Sequence, residues 1–188
     1  RAYAFALAAI ALWGSLAWLT VSLRAVPPFL LLGTALAIGA LPGLPYARQW
    51  RVPRSTLALG LYGLFGYHLF LFLALRLAPP VEANLVNYLW PLLIVLLSPA
   101  ILPGMRLSHR HVITGVLGFA GAALLIAGNS DGNTERNAMG FLAALASAFM
   151  WSSYSLLTRR VVPFSTGAVG GFCAVSSLLA FVCHGLFE

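Results

Sequence analysis

Seven apolar runs of about 17 to 23 residues follow one another along the chain, and nearly every charge falls in the short gaps between them. An α-helix rises about 1.5 Å per residue, so runs of this length cross a hydrocarbon core of about 30 Å. The pattern predicts spans at about 3–23, 29–45, 57–78, 81–102, 112–128, 138–158 and 166–187. The links are short, and the pairs Pro27-Pro28 and Pro79-Pro80 mark helix boundaries, because proline starts a helical ladder well but cannot continue one. The expected fold class is all-α, a polytopic membrane helix bundle.

Composition agrees with the pattern. Of 188 residues, 61% are hydrophobic and 8% charged, against about 25% charged in a soluble domain. The net charge is +7, and all 11 basic residues are arginine. They are scattered over the loops and form no stripe, which argues against a nucleic-acid partner. Their distribution sets the orientation instead. Arg1, Arg48, Arg51, Arg54, Arg106, Arg110, Arg159 and Arg160 fall on the N-terminal side. Only Arg24, Arg76 and Arg136 fall on the other, beside Glu82, Asp131 and Glu135. The N-terminus is therefore expected in the cytoplasm. Cys173 and Cys183, ten residues apart in one run, lie about 15 Å apart along a helix and cannot bridge each other. The chain opens on Arg rather than Met, and a start upstream of it is expected.

The first run returns at an offset of 136 residues. Phe5 aligns with Phe141, Trp13 with Phe149, Trp18 with Tyr154, Arg24 with Arg160, Val26 with Val162 and Pro27 with Pro163. Five spans separate the copies, and an odd number sends the second copy into the membrane from the opposite side. The arrangement expected is an inverted five-plus-five helix repeat, an architecture of secondary transporters. On this reading residues 1–136 form the first five-helix repeat. Residues 137–188 form the first two helices of a second repeat, so seven spans of a ten-helix protein are present and the rest is cut off.

Several of these segments resemble a known family. Leu12-Trp-Gly-Ser-Leu-Ala-Trp, closing at Arg24-Ala-Val-Pro-Pro, is similar to the opening helix of EamA-type members of the drug/metabolite transporter superfamily. Pro80-Val-Glu-Ala-Asn-Leu-Val-Asn-Tyr-Leu-Trp-Pro-Leu-Leu resembles that family's fourth helix, and Gly115-Val-Leu-Gly-Phe-Ala-Gly its fifth. The Asn-Tyr-Leu-Trp-Pro segment resembles the bacterial aromatic amino-acid exporters within the family. The resemblance implies ten helices around a central cavity, in a multi-pass protein of the bacterial inner membrane that moves small metabolites out of the cell.

Candidate chemistry lies in residues that lipid alone does not select. Ser15, Trp18 and Ser22 share a face of the first span, and Ser147, Trp151, Tyr154 and Thr158 share a face of the sixth. In the fourth span Asn84, Asn87, Tyr88 and Pro91 lie together. An Asn in hydrocarbon must bond internally or face water, so this face points into the bundle, either as interhelical glue or as cavity lining. Pro91 deprives the carbonyl one turn back of its donor; the result is either a packing kink or a backbone group free for a ligand. Trp90 is either a filler or a stacking platform for a ring, and Tyr88 is read the same way. His68 is the ionisable group deep in the third run, beside Tyr67; it is either satisfied by a neighbour or functional. Gly60, Gly63 and Gly66 give that helix a small-residue flank for close packing.

No Asp or Glu lies in mid-membrane, which speaks against carboxylate-driven proton antiport in these spans, and no mid-span Arg or Lys serves an anionic substrate. A zwitterion with an apolar or aromatic side chain fits better, its ring on Trp and Tyr and its charged end on Asn and freed backbone groups. The expected function is export of neutral, chiefly aromatic, amino acids by alternating access. The expected substrate-binding residues are Ser15, Trp18, Tyr67, His68, Asn84, Asn87, Tyr88, Trp90, Pro91, Trp151 and Tyr154. No motif asks for a cofactor or metal, and the expected partners are a small molecule and the lipid bilayer around a monomer. The competing readings are efflux of other metabolites or drugs, an intramembrane hydrolase using Ser15 or Ser152 with His68, and a non-transporting assembly subunit. No Gly-x-Ser-x-Gly or His-Glu-x-x-His motif supports the hydrolase.

Overall fold

The computed structural model describes residues 2–127 and 134–188, and among them every regular element is helical. Helix α1 (Ala2–Ser22) is followed by α2 (Pro28–Ala40), which tightens into a 3-10 stretch over Leu41–Trp50. Then come α3 (Arg54–Leu61), a π-helical turn (Tyr62–Gly66) and α4 (Tyr67–Leu77). α5 (Pro80–Asn87), α6 (Trp90–Ile101), α7 (His109–Ala127), α8 (Thr134–Leu157) and α9 (Ala168–Phe187) complete the order.

Among the described residues, five continuous units are long and apolar enough to cross a membrane: Pro28–Trp50, Arg54–Leu77, Pro80–Ile101, Asn137–Leu157 and Ala168–Phe187. α1 and α7, of 21 and 19 residues, occupy the other two predicted spans. α8 starts a turn earlier than expected, at Thr134, inside the polar stretch read as a loop. Gly128, where the fifth span was predicted to end, lies outside the described residues.

Three spans are not plain helices, and local chemistry explains two of them. Pro42, Gly43 and Pro45 thin out the α-type ladder after Ala40, and the backbone leaves helical geometry at Tyr46. In the fourth span Pro91 has no N–H to offer the Asn87 carbonyl, and the helix breaks at Tyr88 (φ −66°, ψ 3°) before restarting as α6. The π-turn in the third span has no signature we can point to beyond the glycines at both of its ends.

Contact registers fix the helix directions. Phe29 near the start of α2 meets Glu188 after α9, Gly33 meets Ser177, and Gly43 meets Gly170, so α2 and α9 are antiparallel. Tyr67 meets Trp151 and Ala78 meets Gly140, so α4 and α8 are antiparallel too. Asn87 meets Ser147 and Trp90 meets Ser152, which makes α8 parallel to the α5–α6 unit. Arg24 donates to the Leu75 carbonyl and Arg76 to that of Val26, so α1 and α4 end on the same side. The sixth span therefore runs opposite to the first, as a displacement of five spans, an odd number of crossings, requires.

Glycines let these helices approach. Gly60 receives the ring of Phe172, Gly63 that of Tyr154 and Gly66 the methyl of Met150. One buried cluster joins α2, α4 and α9 around Leu32, Phe72 and Phe172. A second joins α4, α5 and α8 around Leu71, Leu75, Ala83 and Ala144.

Candidate functional site

The break in the fourth span faces α4 and α8, and a cavity of about 220 Å³ opens there. Tyr67, His68, Leu71 and Leu75 line it from α4, Asn84 and Asn87 from α5, and Trp151 from α8. Tyr88 and Trp90, at the break itself, complete the wall with Leu64. Small-molecule sites commonly measure about 300–1,000 Å³, so this one suits a small metabolite.

Two serines on α8 hold the broken helix in place. Ser147 Oγ donates to Asn87 Oδ1 at 2.8 Å, and Ser152 Oγ donates to the Trp90 carbonyl at 2.8 Å. Both serines are fully buried, and each also lies within bonding distance of a carbonyl of its own helix, Ala144 or Ala148. A hydroxyl has one hydrogen, so it is shared between the two carbonyl-type oxygens. Asn87 is thus both glue and wall, and the two sequence-level alternatives for it are not exclusive.

Aromatic rings form a ladder along the α4–α8 seam. Tyr154 packs on Trp151 with centroids 5.5 Å apart, Trp151 on Tyr67 at 5.0 Å, and Tyr67 meets His68 edge-on at 4.8 Å. His68 Nδ1 lies 2.7 Å from the Leu64 carbonyl. A carbonyl only accepts, so Nδ1 carries the proton, and in the neutral ring Nε2 is left as an acceptor on a residue that lines the cavity. Tyr62, one turn below, exchanges a 2.8 Å hydrogen bond with Ser153 and fixes the π-turn against α8.

Of the eleven sequence-predicted residues, Tyr67, His68, Asn84, Asn87, Tyr88, Trp90 and Trp151 line this one cavity. Tyr154 stands behind Trp151, and Pro91 sits in the first turn of α6 with its ring exposed. Ser15 and Trp18 are not brought to it. The Ser15 hydroxyl turns back to the Leu12 carbonyl of its own helix, and Trp18 is 68% exposed. Sequence reasoning passed over Ser152 as a support and left Ser147 out of the site. Their signal was present, since Ser147 and Trp151 share a face of α8, but a serine's partner across a helix pair is not written in its spacing. Among the described residues no group of three or more His, Cys, Asp or Glu side chains is placed to hold a metal ion.

Membrane-length helices packed around a polar and aromatic cavity define a multi-pass membrane protein. The chain belongs to the EamA-like transporter family, whose model matches residues 1–127. It is 46% identical over 189 residues to the aromatic amino acid exporter YddG of Ancylobacter novellus, covering 96% of this chain and 66% of that protein. A probable amino-acid metabolite efflux pump of Salmonella typhimurium is 31% identical over 166 residues, covering 85% of this chain and 54% of the pump. A solved crystal structure, 46% identical, superposes with a TM-score of 0.72 over 96% of this chain and 65% of the other. The chain thus spans between half and two thirds of the length of these three relatives.

Proposed function

We propose that the protein is an exporter of neutral, chiefly aromatic, amino acids and related small metabolites. It works by alternating access as part of a ten-helix, inverted-repeat carrier in the bacterial inner membrane with its N-terminus in the cytoplasm. The observation that carries this reading is the cavity at the helix break, walled by Trp90, Trp151, Tyr67 and His68 with Asn84 and Asn87 beside them. Names borne by the relatives support it, as an aromatic amino acid exporter and an amino-acid metabolite efflux pump. The asymmetry of arginines between the two sides supports the orientation.

Each part of such a substrate finds a counterpart. The side-chain ring stacks against Trp90 and Trp151, an arrangement worth about 0.5–1.5 kcal/mol beyond area burial. The ammonium donates to His68 Nε2 and to the Asn84 side-chain oxygen. The carboxylate faces the restarted N-terminus of α6, where the helix dipole favours negative charge. Among the described residues no charged side chain lines the cavity, so a substrate with no net charge is admitted without an unpaired ion. Family membership speaks for a carrier rather than an enzyme. So does the state of Ser152, one of the two serines a hydrolase would use, which is buried with its hydroxyl engaged.

The test is flux through the full-length protein in proteoliposomes. Labelled phenylalanine and tryptophan should move faster than arginine, glutamate or a cationic dye, and Trp151→Ala should slow them at least tenfold. Flux of dye alone would replace this reading with efflux of other metabolites, and protein-independent leakage of all five would end it.

A further inference from the structure

A second cavity, of about 340 Å³, opens where α6, the α6–α7 link and the end of α8 meet. Its floor is apolar, built from Ile94, Val95 and Leu156, and Arg106, His111 and Arg159 line it as well. All three of these polar side chains belong to exposed residues, and among the described residues no carboxylate lines the cavity. The Ser108 N–H and hydroxyl lie 3.1 and 3.3 Å from His111 Nδ1. A backbone N–H only donates, so Nδ1 is the acceptor and the proton of the neutral ring sits on Nε2 as a donor. Ser98 and Ser155, also in the lining, spend their hydroxyl hydrogens on the Val95 and Trp151 carbonyls. The cavity therefore offers two guanidinium groups and an imidazole N–H beside a greasy floor, with no acidic side chain among its described lining residues.

We propose that this cavity binds one anionic phospholipid, its phosphate held by Arg106, Arg159 and His111 and the start of its acyl chain on the floor. Charge complementarity and position both favour that occupant. The α6–α7 link joins two spans, so the arginines stand at the depth of the headgroups, and a basic cleft between helices is the usual receptor for an acidic headgroup. The adjacent outer face of α7 offers Val112, Ile113, Val116 and Leu117 to the remaining chain length. Assignment to the cytoplasmic leaflet rests on the orientation proposed above; headgroup binding itself does not.

The experiment uses full-length protein, delipidated in detergent and titrated with dioleoyl phosphatidylglycerol or dioleoyl phosphatidylcholine, with bound lipid counted by native mass spectrometry. One phosphatidylglycerol should be retained in preference to phosphatidylcholine. Arg106→Gln and Arg159→Gln should each weaken it about fivefold, and the double variant about 25-fold. The pair Arg48→Gln/Arg51→Gln, exposed at the same end of the bundle, should leave binding within about twofold of the parent. Equal retention of the two lipids, or equal loss in the control pair, would reduce the effect to surface charge and overturn the proposal. Displacement of the lipid by glycerol phosphate or by phenylalanine at comparable concentration would also overturn it, because the cavity would then read a free anion or a free amino acid rather than a lipid. Transport plays no part in the readout, so failure of the exporter reading and failure of this one are told apart.

Discussion

Replacing Gly63 by alanine tests whether the glycine flank of the third span sets the position of the aromatic ladder. A Cβ at Gly63 would meet three carbons of the Tyr154 ring at 2.7 Å or less, where carbon atoms rest at about 3.5–4.0 Å. The ring must retreat by about 1 Å, and it is backed by Trp151 at 5.5 Å, which in turn contacts Tyr67 at 5.0 Å. Overpacking of this kind costs about 1–3 kcal/mol. Because the displaced rings reach the cavity wall, flux of an aromatic amino acid should fall together with stability. Gly66 supplies the internal comparison. A Cβ there would strike the terminal methyl of Met150, a flexible side chain that can swing away, so Gly66→Ala should cost under about 1 kcal/mol. Equilibrium unfolding of the full-length protein in mixed micelles measures both. The double variant Gly63→Ala/Tyr154→Ala removes the collision, and the cycle should return a coupling of about 0.5–3 kcal/mol. Gly121 has open space where its Cβ would stand. A Gly63→Ala protein as stable as Gly121→Ala, or a cycle with no coupling, would refute the reasoning.

Other expectations follow from the same contacts. Ser152→Ala leaves the Trp90 carbonyl without its donor from α8 and should destabilise the protein by about 1–3 kcal/mol, read by the same unfolding assay. Ser147→Ala should do the same through Asn87, and the pair should be less than additive because both hold one helix break. Ser15→Ala removes a bond to its own helix only and should change stability by no more than about 0.5 kcal/mol. His68→Ala should slow amino-acid flux while His68→Asn, which keeps an acceptor, retains more of it; equal rates for both would assign the imidazole to packing alone.

Hydrophobic period settles much of this molecule's helical layout in advance. Apolar runs of membrane length must become helices, because no water is available there to satisfy an open backbone. Their number and order were therefore legible, down to the helix starts at Pro28 and Pro80, each following a second proline. Pro91 announced the break in the fourth span, since a missing N–H is a local fact. The convergence of Tyr67, His68, Asn84, Asn87, Tyr88, Trp90 and Trp151 was legible in part, because polar and aromatic groups sharing a face must turn away from lipid.

What the tertiary structure alone decided are the pairings. Nothing in the spacing of Ser147 and Ser152 says that they would bond to Asn87 and Trp90 rather than only to their own helix. Nor does the third run announce its π-turn, or that Tyr154 and Met150 would fill the places its glycines leave. Ser15 and Trp18 show the same limit from the other side. Their face reads like that of α8, yet α8 packs along α4 and the α5–α6 unit where the cavity lies, whereas α1 touches α4 and α5 only sparsely. Periodicity is a property of one helix and fixes which face is polar. Which neighbour that face meets depends on how several helices pack at once, and that information exists only in three dimensions.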